Sequence, residues 1–532
     1  MPGQAPAPHA KLQMPSSNVT GRIAKASGIV MAGVLLSRLL GFFREWTVAH
    51  QIGSNSITDA YYAAFTLPDF LNYLVAAGAL SVTFIPVFSR YMAEKQEDEG
   101  WYAFSTVVTV MGLVLVALVG IGEIFTPQLV GAIAPGFAPA ARARAVFLTR
   151  LMLPAQIFFY LGSILTAVQY AKAQFIIPSL AGVVYNLGVV LAGLLLSSRI
   201  GITGFAVGVL VGALSGNFLL QIYGARRSGA RFTPNLDLRH PGFRWFIKLS
   251  IPIMLALSLS ATDDWIIRWF GSYLVPASIT WLTYAKALMR VPLGVVGMSV
   301  GVASFPFMAQ LYSEGKLDEL NRTLNATLKG LLLLLVPISA LTIAQSTPLI
   351  YFVFSHTRLH GADFEATSAT LRVFSIGMFA WAAQNILARA FYAARDTITP
   401  AVVGTGLTFL SLPVYWQLAR HFQHLGLAAA SSLGIIAYTV ILFLLLNRRI
   451  HNPQARGLLI FLLKIGLVSA LAGLACFKLN NWLGSHLGWQ TTHQALLVLV
   501  IVSSVGLALM ALLAKLLRVR EFEDYLHRLV VK

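Results

Sequence analysis

The strongest constraint on how this chain can fold is an apolar run of roughly 20 residues that recurs along almost its whole length. That is what a helix needs to cross a hydrocarbon core about 30 Å thick. About fourteen such runs begin near Ala26, Asp59, Tyr102, Ala145, Pro178, Ile202, Phe243, Pro276, Thr327, Leu371, Thr399, Leu425, Gly457 and Gln494. A chain of 532 residues that is 57% hydrophobic and 11% charged is too apolar for a soluble enzyme. The sequence therefore predicts an all-α polytopic membrane protein.

A net charge of +19 would point to nucleic acid in a soluble chain, but these cations collect in alternate connections. Lys11, Arg22 and Lys25 precede the first run. Arg226, Arg227, Arg231, Arg239 and Arg244 fill the sixth connection, Arg448, Arg449 and Arg456 the twelfth, and Lys515, Arg518, Arg520, Arg528 and Lys532 the tail. By the positive-inside rule both termini are expected in the cytoplasm, with no nucleic-acid partner. Arg142 and Arg144 break the pattern by lying on an outer connection. Residues 1–25, rich in Pro, Ala and Ser, read as a disordered arm and lack the form of a signal peptide. The one cysteine, Cys476, allows no intrachain disulfide and reads as a packing residue.

An internal repeat organises the runs. Ile57, Thr58, Tyr62 and Ala63 return as Ile279, Thr280, Tyr284 and Ala285, and Tyr170, Ala171, Ile176 and Pro178 return as Tyr392, Ala393, Ile398 and Pro400. Both sets recur at a separation of 222 residues (57 to 279, 170 to 392). Six runs lie between, an even number, so the halves are parallel repeats about an axis normal to the membrane. The expected layout is an N-lobe of helices 1–6 (26–224), a basic linker (225–244), a C-lobe of helices 7–12 (245–447), helices 13–14 (457–517) and a tail (518–532).

Charges inside the runs are the candidate functional residues, because an ionised side chain at mid-bilayer costs about 2.5–3.5 kcal/mol and must face a partner or a water-filled cavity. SRLLGFFREWTVAHQIG (37–53) places Arg38, Arg44 and Glu45 in the first run. The two arginines point about 120° apart on an ideal helix, whereas Arg38 and Glu45 share a face, which also allows ion pairing with other helices. Asp59 opens the second run, as a helix-terminal acid or as a gate. In the seventh run, Asp263 and Asp264 could pair with Arg268, Lys286 or Arg290, or hold a monovalent cation. The sequence has no P-loop, HExxH or CxxC motif, so neither a catalytic residue nor a metal site is expected; His356 and His360 read as solvated loop residues.

SRLLGFFRE, GSNSITDAYYAAFTLPDFL, AAGALSVTFIPVFSRY, APGF (134–137) and FYAARDTITPAVV (391–403) resemble the MurJ/MviN family of the multidrug/oligosaccharidyl-lipid/polysaccharide exporter superfamily. The resemblance implies a lipid II flippase of the bacterial cytoplasmic membrane. Such a protein would need no cofactor and would work by alternating access, driven by the membrane potential or a monovalent cation. Its partners would be lipid II, membrane lipids and cell-wall synthesis proteins. Arg38 and Arg44 would bind the diphosphate, and Asp59 matches the family's important outer aspartate. Two family arginines fall at Tyr73 and Ala287 in this chain, with Lys286 and Arg290 as candidate replacements. The alternatives are an exporter of another polyprenyl-linked glycan, a multidrug/cation antiporter or a non-transporting envelope scaffold.

Overall fold

The computed structural model describes residues 17–76, 79–255, 259–519 and 521–522, and among these every regular element is helical. The first lobe holds α1 (Ser17–Gln51), α2 (Ser56–Ala64), α3 (Thr66–Leu71), α4 (Ala79–Ala93), α5 (Glu97–Ile133), α6 (Pro139–Met152), α7 (Ala155–Ala171), α8 (Ile176–Ile200), α9 (Thr203–Gly212) and α10 (Leu220–Arg227). The second holds α11 (Pro241–Leu255), α12 (Leu259–Gly271), α13 (Ser278–Pro292), α14 (Met298–Ser313), α15 (Leu317–Ala344), α16 (Ser346–Phe354), α17 (Gly361–Ile376), α18 (Met378–Ala393) and α19 (Ile398–Ile450). Last come α20 (Ala455–Leu487), packed on α15, and α21 (Thr492–Leu516), packed on α16 and α20. Of the expected terminal arm, residues 1–16 lie outside the described residues, and from Ser17 the backbone is already helical. Residues 520 and 523–532 of the expected tail also lie outside them.

Among the described residues, 8 helices are long and apolar enough to cross a membrane, or 9 if α17 and α18, bent by 41°, count as one span. This is fewer than the fourteen runs of the sequence, for two physical reasons. Two segments carrying intramembrane charge are cut into shorter pieces by π-helical stretches at Asn72–Ala76 and Leu293–Gly297, whereas α1, with Arg38, Arg44 and Glu45, runs unbroken. Conversely α19, 53 residues in all, is two helices joined at a sharp break at Gln423 that fold back on each other, with Tyr438 OH donating to Pro400 O (3.0 Å), so that one element holds the two runs that begin near Thr399 and Leu425.

The repeat is written into the backbone. α2 begins at Ser56 and α13 at Ser278, while α8 begins at Ile176 and α19 at Ile398, all at the separation found in the sequence. Positive φ recurs at the same spacing, at Ala173 and Arg395 (56° and 57°) and at Gly229 and His451 (82° and 47°). Gly201 ends α8 with φ 59°, ψ −140°, and Gln423 breaks α19 with φ 52°, ψ −133°. Glycine adopts that conformation freely, whereas a residue with a Cβ is strained there by about 1–3 kcal/mol. Gln423→Gly is therefore expected to raise the thermal unfolding midpoint of the detergent-solubilised protein; an unchanged or lower midpoint would show that the break carries no strain.

Small residues let the helices approach closely, as in other membrane bundles. A Cβ on Gly188 of α8 would lie 2.7 Å from the Cα of Gly212 at the end of α9. The linker runs along α5, with Thr233 N donating to Ser105 Oγ (3.1 Å) and Arg231 paired to Asp98 (2.9 Å). α11 packs on α4, where Thr83 and Ser250 share a hydrogen bond of 2.9 Å, whereas α12 packs on α19. The seventh segment thus touches both lobes.

Candidate functional site

At one end of the molecule the lobes are pinned together. α2 is capped locally by Asn55, whose Oδ1 accepts from the Ile57 and Thr58 N–H groups (2.9 and 3.1 Å), so Asp59 is not needed for that purpose. Instead Asp59, 3% exposed, reaches the N-terminus of α13 in the other lobe. Its Oδ2 accepts from Ala277 N (2.7 Å), and its Oδ1 accepts from Thr280 N (2.8 Å) and Thr280 Oγ1 (2.6 Å). The N-cap of α13, Ala277, has φ 80° and no side chain able to cap, leaving orphan N–H groups that a carboxylate satisfies well. The Tyr284 hydroxyl donates to Gly53 O (3.1 Å), Trp46 Nε1 to Val353 O (2.8 Å) and Gly136 N to Ser272 Oγ (3.1 Å), completing a seal across the lobes.

Behind this seal lies a cavity of about 360 Å³ lined from both lobes, with Arg44, Glu45, Asp69, Asp264, Arg268, Lys286 and Arg290 among its walls. Six of the intramembrane charges singled out in the sequence, Arg44, Glu45, Asp264, Arg268, Lys286 and Arg290, thus converge on one space, while Arg38, Asp59 and Asp263 lie outside its lining. They arrive paired. Arg44 Nη2 bonds its chain neighbour Glu45 (2.6 Å), whose other oxygen accepts from Tyr62 OH (2.6 Å). Lys286 lies between Asp263 and Asp264, 2.5 Å from Asp264 Oδ1, and Arg290 Nη2 sits 2.8 Å from Asp264 Oδ2. Asp263 also accepts from Tyr415 OH and from Ser431 Oγ (3.0 Å). A fully buried charge needs this degree of compensation, and the Lys286 side chain is only 5% exposed, whereas Arg290 is 49% exposed and open to the cavity.

Three sequence expectations change. Arg268 does not pair with Asp263 or Asp264: it bonds Asp69 Oδ2 of the first lobe at 2.9 Å, a second tie between lobes through an aspartate. Glu45 pairs with its own chain neighbour Arg44 and not with a cation of another helix. Arg38 itself lies outside the cavity lining, exposed, with its Cδ 3.1 Å from where a Cβ on Gly294 of the other lobe would stand. Among the described residues it forms no ion pair. At the family's missing arginines, Tyr73 packs edge-on to Trp265 (5.8 Å), and Ala287 is half-buried beside Lys286. Tyr62, Tyr415 and Ser431 were missed as partners; of these only Tyr62 carried a signal, as a member of the repeat.

The family model described as Lipid II flippase MurJ matches residues 48–498. A Burkholderia cenocepacia protein named Lipid II flippase MurJ is 26% identical over 464 residues, covering 86% of this chain and 89% of the relative. A Vibrio cholerae protein named Probable lipid II flippase MurJ is 24% identical over 511 residues, covering 94% and 96%. A solved structure titled as Lipid II flippase MurJ in an inward closed conformation superposes with a TM-score of 0.76 at 21% identity, covering 94% of this chain and 99% of that one. An inward-facing multidrug transporter of the MATE family and MOP superfamily matches with a TM-score of 0.64 at 14% identity, over 80% and 98%. At such identities these two structures speak for the fold alone.

Proposed function

This chain belongs to the lipid II flippase MurJ family, and on that premise we propose that it carries lipid II, a polyprenyl-diphosphate-linked peptidoglycan precursor, from the cytoplasmic to the outer leaflet of the bacterial cytoplasmic membrane. Both termini lie in the cytoplasm, so the Asp59 seal closes the outer side and the cavity loads from the inside. The observation that carries the reading is an arginine-bearing cavity between two parallel lobes, sealed at one end by hydrogen bonds that any change of access must break. Arginine's planar fork matches phosphate oxygens.

Resident carboxylates hold the place of the substrate. An unpaired buried cation is costly, so the empty cavity keeps Arg44 on Glu45 and Arg290 on Asp264, and the arriving diphosphate takes over those guanidinium groups. Arg38, exposed and without an ion-pair partner among the described residues, makes the first contact. Lys286 stays with Asp263 and Asp264 as a resident cation. We accordingly assign the energy for the cycle to the membrane potential rather than to a dissolved monovalent ion, and the chain acts as a transporter with no catalytic group of its own.

The test is complementation in a bacterium depleted of its own lipid II flippase, reading lipid II exposed on the outer face. The chain is expected to restore exposure. Arg38→Ala and Arg44→Ala are each expected to lower the rate by about ten- to a hundredfold, the loss of one charge-assisted interaction worth about 1.5–3 kcal/mol. Correct membrane insertion without restored exposure would sink the lipid II reading, and full activity of both variants would sink the assigned roles.

A further inference from the structure

One cluster of charge has no part in the transport cavity: Arg142, which breaks the loop-charge pattern, and Arg150 two turns further along the same helix. On α6, Arg142 and Arg150 line a separate pocket of about 630 Å³ whose other walls include Pro127, Phe137, Val146 and Phe147. Arg142 is half-buried; its Nη2 donates to Pro135 O (2.8 Å), but its Nε is buried without a hydrogen-bond partner. Arg150 is exposed and donates from Nε to the backbone oxygen of Glu123 (3.1 Å). Two guanidinium groups therefore have unspent donors around one space.

The depth of the pocket identifies what fills it. Residues 103–122 of α5 contain no Asp, Glu, Lys or Arg, and twenty residues of helix span about 30 Å, one hydrocarbon core. Glu123 therefore marks the outer edge of that core, and the pocket beside it lies at headgroup level. Phe147 and, on α5, Ile124 and Phe125 are large apolar side chains at least half exposed (50%, 68% and 50%), a surface suited to acyl chains and not to water. We propose that this pocket binds the phosphate of an outer-leaflet membrane phospholipid, with Arg142 and Arg150 on the phosphate oxygens and the acyl chains along Phe147, Ile124 and Phe125. Arg142 also braces the 134–138 turn whose Gly136 bonds the other lobe, so the bound lipid supports the seal from outside.

The test is native mass spectrometry of the full-length protein titrated separately with phosphatidylglycerol, with phosphate-free monogalactosyl diacylglycerol and with inorganic phosphate. One phosphatidylglycerol is expected to be retained by the unmodified protein and by Arg144→Gln, and its occupancy to fall at least about tenfold in Arg142→Gln/Arg150→Gln. Ala143→Trp, which fills the pocket and keeps both arginines, is expected to lose the lipid as well and keeps the test decisive if the double variant misfolds. Equal retention in all variants, or equal retention of the phosphate-free lipid, overturns the site. Binding of inorganic phosphate without binding of phosphatidylglycerol overturns the lipid as its occupant.

Discussion

Asp59→Ala is expected to abolish flipping while leaving the protein folded and inserted. The change removes three hydrogen bonds to a carboxylate, from Ala277 N, Thr280 N and Thr280 Oγ1, each worth about 1.5–3 kcal/mol, and uncaps α13. The sealed state thereby loses several kcal/mol relative to the unsealed one, more than about a hundredfold in their ratio. Asp59→Asn is expected to be nearly as damaging. Two backbone N–H groups approach different oxygens of Asp59, and the amide would oppose one of them with a donor. Seal opening can be read directly with Thr283→Cys, which lines the cavity, in a Cys476→Ala background. A membrane-impermeant thiol reagent added outside is expected to label the Asp59→Ala form faster. Unchanged labelling together with unchanged transport would remove the seal from the mechanism.

The second large effect is expected at Lys286. Lys286→Met strands Asp263, 1% exposed, with only hydroxyl partners and takes from Asp264 one of its two cations, a situation that costs about 3–5 kcal/mol. The thermal midpoint should fall sharply. Lys286→Met combined with Asp263→Asn should recover most of the loss, because no uncompensated buried charge remains. The double variant also separates two roles for the lysine: recovered stability with recovered flipping makes it a structural cation, whereas recovered stability without flipping makes it a ligand for the substrate. A single variant as stable as the parent would contradict the buried network altogether.

Much of this was legible in the sequence because the bilayer penalises charge so heavily. Arg44, Glu45, Asp264, Lys286 and Arg290 stood out as ions in apolar runs, and all of them line the same cavity. The repeat was legible from Thr58 and Tyr62 because these and their counterparts Thr280 and Tyr284 are buried in both lobes. Pairing was much less legible, since helical periodicity gives the direction of a side chain on its own helix and not which helix lies opposite. Asp69 meeting Arg268, and Asp59 capping α13, are contacts between lobes far apart in sequence, and the place of Asp59 at the start of its run offered it a local, helix-terminal explanation that Asn55 had already taken. The boundary at Gln423 was legible, since separate runs begin near Thr399 and Leu425, but its left-handed backbone was not, because glutamine is not a turn former; its counterpart Gly201 is the residue that hints at it.

The salt bridges around the cavity set four cations, Arg44, Arg268, Lys286 and Arg290, against four carboxylates, Glu45, Asp69, Asp263 and Asp264. An empty carrier built this way does almost no electrical work when it turns around, because its internal dipoles swing without a net charge crossing the field. Cargo alone makes the stroke electrogenic. With the cell interior negative, each negative charge on a polyprenyl diphosphate moved outward gains about 2.3 kcal/mol per 100 mV. In the proposed cycle the loaded stroke would thus be biased outward and the unloaded return electrically silent, a rectifier made from paired side chains.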